Sequence, residues 1–285
     1  EDDRGWIPYV NNDLTATSVG APDALFVLSI PTVEEFARLE SLVLDTLPPD
    51  AVTEWKDAKD EMRQLTGIGI EEIFTAVGPE LLLVFDKAGD YVALRLRDAD
   101  LWNSILERIA ENVGSAPESR KIGGATYHYW IFASPFEGLA EADAEVPWFG
   151  ELYTRQRDHF YWTVDGDFLY MASVPQILFD RAAMQANTDI GDWLANTQGI
   201  DAEHAVLSVS GTSRKLTPRL YALYLQVMQA LADMAQVEID NWSMPSAHQL
   251  GLPERGAMGF TISLGNPTLA AEFTFENNPA EMFGS

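Results

Sequence analysis

The 285-residue chain has no cysteine, only 18 lysines and arginines against 44 acidic residues, and four histidines. Without cysteine there are no disulfides, no thiolate metal sites and no cysteine nucleophile. A formal charge of −26 repels a phosphate backbone, so nucleic acid is not an expected partner. Such an acidic surface reads as a solvated face, with calcium or a basic peptide as the partners it leaves open. No apolar run reaches the roughly 18–20 residues that span a bilayer, which predicts a soluble chain without a transmembrane segment.

Recognisable catalytic motifs are also missing. His128, His159, His204 and His248 form no His-Glu-x-x-His pattern and no i, i+4 pair, which is the spacing that puts two imidazoles on one helical face. There is no Gly-x-Ser-x-Gly, and three residues after Ser213 stands Leu216 where a Ser-x-x-Lys pattern needs lysine. Lys121-Ile122-Gly123-Gly124 lacks the spacing of a phosphate loop and reads as a tight turn before a strand. Asp165-Gly166-Asp167 lacks the later ligands of a calcium loop and reads as a hairpin turn. Asn241-Trp242-Ser243 is a formal glycosylation sequon. No catalytic residue, metal or cofactor is expected from these patterns.

What is present is the composition of a folded protein, 47% hydrophobic and long enough for one large core or two ordinary ones. Ala24 to Ile30 reads as a strand. Thr32 and Glu35 have capping-box spacing ahead of a helix striped by Phe36, Leu39, Val43 and Leu47, which Pro48-Pro49 stops. Helices are predicted over Val52 to Leu65, ending at Gly67, and over Glu71 to Ala76. A hairpin follows, Leu81 to Phe85 and Tyr91 to Leu96, then a helix capped by Asp98 or Asp100 with Leu101, Ile105, Leu106 and Ile109 at helical spacing. Ala125 to Phe132 is a strand, 134–147 an acidic excursion, Phe160 to Val164 and Phe168 to Ala172 a second hairpin, and Pro175 opens another helix.

From His204 the order of elements begins again, with a strand to Ser210, a helix over Leu216 to Val237, paired strands over Met258 to Leu264 and Thr268 to Phe275, and a helix opening near Pro279. The fold class expected is therefore α+β: two related modules, each strand, helix, antiparallel hairpin and helix, with helices packed on antiparallel sheets. The division is an N-terminal arm over 1–22, a first module over 23–200 and a second over 201–285. Because the second module stops about one turn into its last helix, the natural chain is expected to be longer at its C-terminus or to close its second sheet differently. A start at Glu1 rather than methionine is expected if an upstream signal peptide or lipid anchor has been removed, or if the chain has been trimmed.

One segment is unusual for its aromatic density. Trp148, Phe149, Tyr153, Phe160, Trp162 and Tyr170 are the candidate binding residues, with Tyr161, Phe168, Tyr127, Tyr129 and Trp130 nearby. Alternation along a strand sends Phe160 and Trp162 to one face and Tyr161 to the other, so that strand is covered on both sides. Amphipathic Tyr and Trp suit a binding surface for a protein or an apolar ligand, and core packing between modules explains them as well.

The succession Leu65-Thr66-Gly67-Ile68, Val77-Gly78-Pro79-Glu80-Leu81, a hairpin and a helix opening at Asp98, together with Val164 to Ser173, resembles a group of uncharacterised exported bacterial proteins with tandem α+β modules. The resemblance implies a periplasmic or cell-envelope location and carries no functional residues with it. The expected function is a non-catalytic envelope protein binding a protein or apolar ligand. The alternatives are a hydrolase or metal-dependent enzyme assembled from scattered carboxylates and histidines, and a structural repeat within a larger assembly.

Overall fold

A computed structural model describes residues 14–132, 155–197, 207–212, 216–252, 258–264 and 269–275. The elements before residue 120 are β1 (Thr17–Ser18), β2 (Ala24–Ser29), α1 (Val33–Leu44), α2 (Pro49–Thr66), α3 (Ile70–Ala76), β3 (Val77–Phe85), β4 (Asp90–Leu96), α4 (Ala99–Val113) and β5 (Glu118–Ile122). Then come β6 (Ala125–Phe132), β7 (Asp158–Asp165), β8 (Phe168–Ala172), α5 (Pro175–Ala183), β9 (Thr188–Asp189) and α6 (Ile190–Thr197). The last are β10 (Leu207–Thr212), α7 (Leu216–Ala235), a 3-10 turn over Asn241–Ser243, β11 (Met258–Leu264) and β12 (Leu269–Phe275).

The expected α+β class holds, with helices on antiparallel strands. A ten-stranded sheet runs in the order β12-β11-β10-β2-β3-β4-β8-β7-β6-β5. The strands after residue 201 join the earlier ones through β10, which pairs antiparallel with β2 from Leu207↔Leu28 to Gly211↔Ala24. From that junction β2, β3 and β4 leave one side in the order in which β10, β11 and β12 leave the other. The helix expected near Pro279 lies outside the described residues.

Local chemistry accounts for most boundaries. Thr32 and Glu35 close the capping box reciprocally, Glu35 N–H donating to Thr32 Oγ1 at 3.2 Å and Thr32 N–H to Glu35 Oε2 at 2.7 Å. Pro49, expected only to stop α1, instead opens α2, since proline at the first helical position loses no hydrogen bond. Asp98 is the cap of α4, accepting from Leu101 N–H at 2.9 Å. Strand β5 was not expected, because Glu118-Ser119-Arg120-Lys121 is polar; it is the sheet's edge and is exposed over four of its five residues. The β5–β6 hairpin turns at Gly123 and Gly124, with φ of 59° and 89°, a left-handed pair that side chains resist.

The sheet is covered on both faces. On one, Leu25, Val27, Leu82, Val84, Tyr91 and Tyr170 pack under α5, α6, α7 and residues 14–19; on the other, Leu96, Trp162, Leu169 and Trp130 pack with α3 and α4. Each fully buried large apolar side chain contributes about 1.5–3 kcal/mol. Helices α1 and α2 bury none of their residues fully. The α1 stripe, Leu39 and Val43, continued by Leu47 after the helix, lines a groove against α2 and stays 39–47% exposed.

From Leu14 onward the expected arm is built into the fold. Leu14, Ala16 and Val19 are buried, and β1 pairs with β9. Asp86 holds this strip: its carboxylate accepts from Val19 N–H at 2.6 Å, Tyr91 O–H at 2.6 Å and Ala88 N–H at 2.7 Å. Glu80 repeats the device, accepting from Thr15 N–H at 3.0 Å and pairing with Arg95 at 2.8 Å.

Burial pushes the Asp86 carboxyl above the ordinary carboxylate value, against the opposing pull of its three donors and of Arg181. Asp180 is raised by burial in the same way. A carboxyl raised in the folded state binds its proton more tightly there, so its stability contribution is full below the ordinary value and is lost as pH rises through the raised one. Denaturant midpoints taken from about pH 3 to about pH 8 will show this decline, and Asp86→Asn will flatten part of it. The same substitution aims an amide N–H at donors and costs about 2 kcal/mol near neutral pH.

Candidate functional site

Strand β7 serves two sites because its side chains alternate. His159 and Tyr161 face α7, whereas Phe160 and Trp162 face α4. Of the candidate residues, Trp148, Phe149 and Tyr153 lie outside the described residues. Phe160 is 40% exposed and meets Phe132 edge-on, with ring centroids 5.6 Å apart. Trp162 is buried and stacks on His128 at 5.4 Å, and burial holds the His128 imidazole below its ordinary pKa. Tyr170 belongs to the core on the opposite face, where it packs edge-on against Tyr91 and carries the Arg181 guanidinium 3.6 Å above its ring.

The α4 side is an apolar pocket of about 220 Å³. Helix α4 lines it with Trp102, Leu106 and Ile109, strand β6 with Trp130 and Phe132, and β7 with Phe160 and Trp162; Leu94, Leu169 and Met171 complete the wall. The Trp130 indole N–H donates to Ser115 Oγ at 3.1 Å, while the buried Trp102 indole nitrogen has no partner. The stripe read from the sequence, Leu101, Ile105, Leu106 and Ile109, includes two of these α4 residues but leaves out Trp102. The signal was present, since 102, 106 and 109 also share one helical face.

The α7 side is a polar cleft of about 440 Å³. Asp233, 3% exposed, is held by the Arg157 guanidinium at 2.9 and 3.1 Å and by Arg157 N–H at 3.1 Å, and it lies 2.9 Å from His159 Nε2. Beside them the Tyr161 hydroxyl donates to Gln229 Oε1 at 3.1 Å, and the Asn241 amide donates to the same oxygen. Trp242 meets Tyr129 and Tyr161 edge-on, each at 5.4 Å between centroids, and Arg120 lies 5.4 Å above its ring. Burial raises both tyrosine pKa values, with Glu118 adding to the effect at Tyr129 and Asp233 at Tyr161, so both hydroxyls stay neutral donors.

None of Asp233, Arg157, Gln229 or Trp242 was singled out from the sequence. The available signal was the interruption of an apolar helical face: Leu225, Gln229 and Asp233 follow one another at i, i+4 spacing, and all three are buried. The sequon residue Asn241 is 4% exposed and its amide is engaged with Gln229, so within this fold it cannot carry a glycan. The His248 backbone N–H donates to Asp180 Oδ2 at 3.0 Å, and His204 lies outside the described residues. Among the described residues no group of three or more acidic or histidine side chains could hold a metal ion, and no helix is long and apolar enough to cross a membrane.

Removing Asp233 leaves the buried His159 and the Arg157 guanidinium without their shared acceptor. Asp233→Ala will therefore lower stability by about 3 kcal/mol in urea denaturation. Arg157→Ala leaves the buried Asp233 carboxylate without its guanidinium partner and will cost a similar amount, about 3 kcal/mol. Comparison of the chain with known protein families, curated proteins and solved structures finds no match.

Proposed function

We propose that the protein is a non-catalytic component of the bacterial cell envelope that binds an apolar group in the pocket between α4 and strands β6–β8. The observation that carries this reading is that every residue lining the pocket is apolar while Phe160 at its wall remains 40% exposed. A closed core would cover such a ring. The envelope location is supported by the resemblance to exported bacterial proteins, and a chain of charge −26 disfavours nucleic acid as the partner.

Size narrows the ligand. A cavity of about 150 Å³ accepts benzene, and drug-sized sites begin near about 300 Å³, so a pocket of about 220 Å³ suits one ring or a short acyl branch. That group can belong to a small molecule or be an aromatic side chain offered by a partner protein. A hydrolase reading draws on the His159–Asp233 pair in the other cleft. Among the described residues lining that cleft there is no serine or threonine that the pair could activate.

The test uses 4-fluorotoluene, followed by fluorine line broadening and by the indole N–H signals of the protein. Binding is expected to be saturable, to shift the Trp102 and Trp162 indole signals, and to weaken at least tenfold in Phe160→Asp without a large change in melting temperature. Equal binding by wild type and Phe160→Asp, or shifts confined to tryptophans other than Trp102, Trp130 and Trp162, would overturn the reading.

A further inference from the structure

The polar cleft on the opposite face of β7 has no part in that function, yet it is the more elaborately built of the two. We infer that it is a second binding site, for a neutral polyhydroxylated ligand of mono- to disaccharide size.

Its walls and its polar groups point to the same chemistry. Trp242 stands at interplanar angles of 68° and 76° to Tyr129 and Tyr161, so the cleft has ring surfaces in two orientations. Aromatic faces of this kind pack against the C–H faces of a sugar ring, while planar side chains take its hydroxyls. Arg120, Gln229 and Asn241 supply such planar groups, and all three line the cleft. Its volume of about 440 Å³ lies within the usual range for a small ligand.

Charge removes the main competitors. The lining carries Arg120 and Arg157 against Glu118, Asp233, Glu238 and Asp240, so phosphates and carboxylates meet a net negative surface. A cationic ligand would have to compete with Arg120, which lies 5.4 Å above one face of the Trp242 ring and is tied to Asp240 at 3.1 Å, whereas a neutral ring needs only the other face. A neutral ligand remains.

A second observation is independent of the walls. Asn241 is 4% exposed and the His159 side chain 8%, and each has a buried atom without a hydrogen-bond partner, Asn241 Oδ1 and His159 Nδ1. Buried polar atoms are almost always paired. An amide oxygen needs a donor, whereas an imidazole nitrogen needs a donor or an acceptor according to its tautomer. A hydroxyl supplies either.

The experiment is saturation-transfer NMR on the whole chain with methyl β-glucoside, methyl β-galactoside and N-acetylglucosamine, with choline and acetate alongside. At least one sugar is expected to bind saturably below about 10 mM, a weak but specific range, and to shift the Trp242 indole signal. Trp242→Ala should weaken it at least tenfold, while Phe160→Asp, on the other face, should leave it unchanged. If Trp242→Ala fails to fold by circular dichroism, Tyr129→Ala takes its place with the same expectation. No transfer from any of the three sugars, transfer insensitive to the folded cleft variant, or binding of choline or acetate in their place would overturn the inference. Loss of fluorotoluene binding with sugar binding intact would overturn only the apolar-pocket reading.

Discussion

The four-pair ladder between β4 and β8, from Val92↔Met171 to Arg95↔Phe168, is the joint on which the architecture turns. Through it the β5–β8 meander is attached to the strands that begin at β2. Both sides of the joint are apolar. Tyr91 and Tyr170 meet on one face under Arg181, and Leu94 and Leu169 lie opposite each other on the other. A strand pair apolar on both faces must be covered twice, which is why helices lie on both sides of this sheet.

Strand β7 sits one place outward from that joint and inherits its two-sidedness. The pleat alone separates His159 and Tyr161 from Phe160 and Trp162, but the character of each site comes from the helix above it. Helix α4 lowers Trp102, Leu106 and Ile109 onto its face, and the indole nitrogens of Trp102 and Trp130 are the polar atoms that come with this wall. Helix α7 lowers Gln229 and Asp233 onto the other, and these buried side chains need partners in a medium of low dielectric constant. Arg157, His159, Tyr161 and Asn241 are those partners. The result is a network whose members hold one another in place, beside a pocket held by packing alone.

Much of this was legible in local patterns. The capping box at Thr32, the Asp98 cap, the turns at Gly123-Gly124 and Asp165-Gly166, and the strands over 81–85, 91–96 and 125–132 each rest on interactions within a few residues. They appear where the sequence places them. The misses share a cause. Strand β5 is polar and owes its pairing to β6 from Glu118↔Tyr129 to Ile122↔Ala125. Helix α6 is short and is held by Ile190, Trp193 and Leu194 in the core. Residues 14–19 of the N-terminal arm depend on Glu80 and Asp86, more than 60 residues away along the chain. None of these partners is visible in a local window.

By itself, then, the sequence determined the α+β class, most element boundaries, the acidic character, and the alternation that splits β7 between two faces. Local dihedral preference, capping and hydrophobic period act over a few residues, so a linear reading reaches them. Only the tertiary structure decided which aromatic residues stand open and which are sealed. Tyr170 and Trp162 look alike in the chain, yet they end in separate cores on opposite faces of the sheet. It also decided that Arg157, His159 and Asp233 meet, although 74 residues separate the last two. Burial and long-range pairing are properties of the packed sheet and its helices, and no spacing along the chain encodes them.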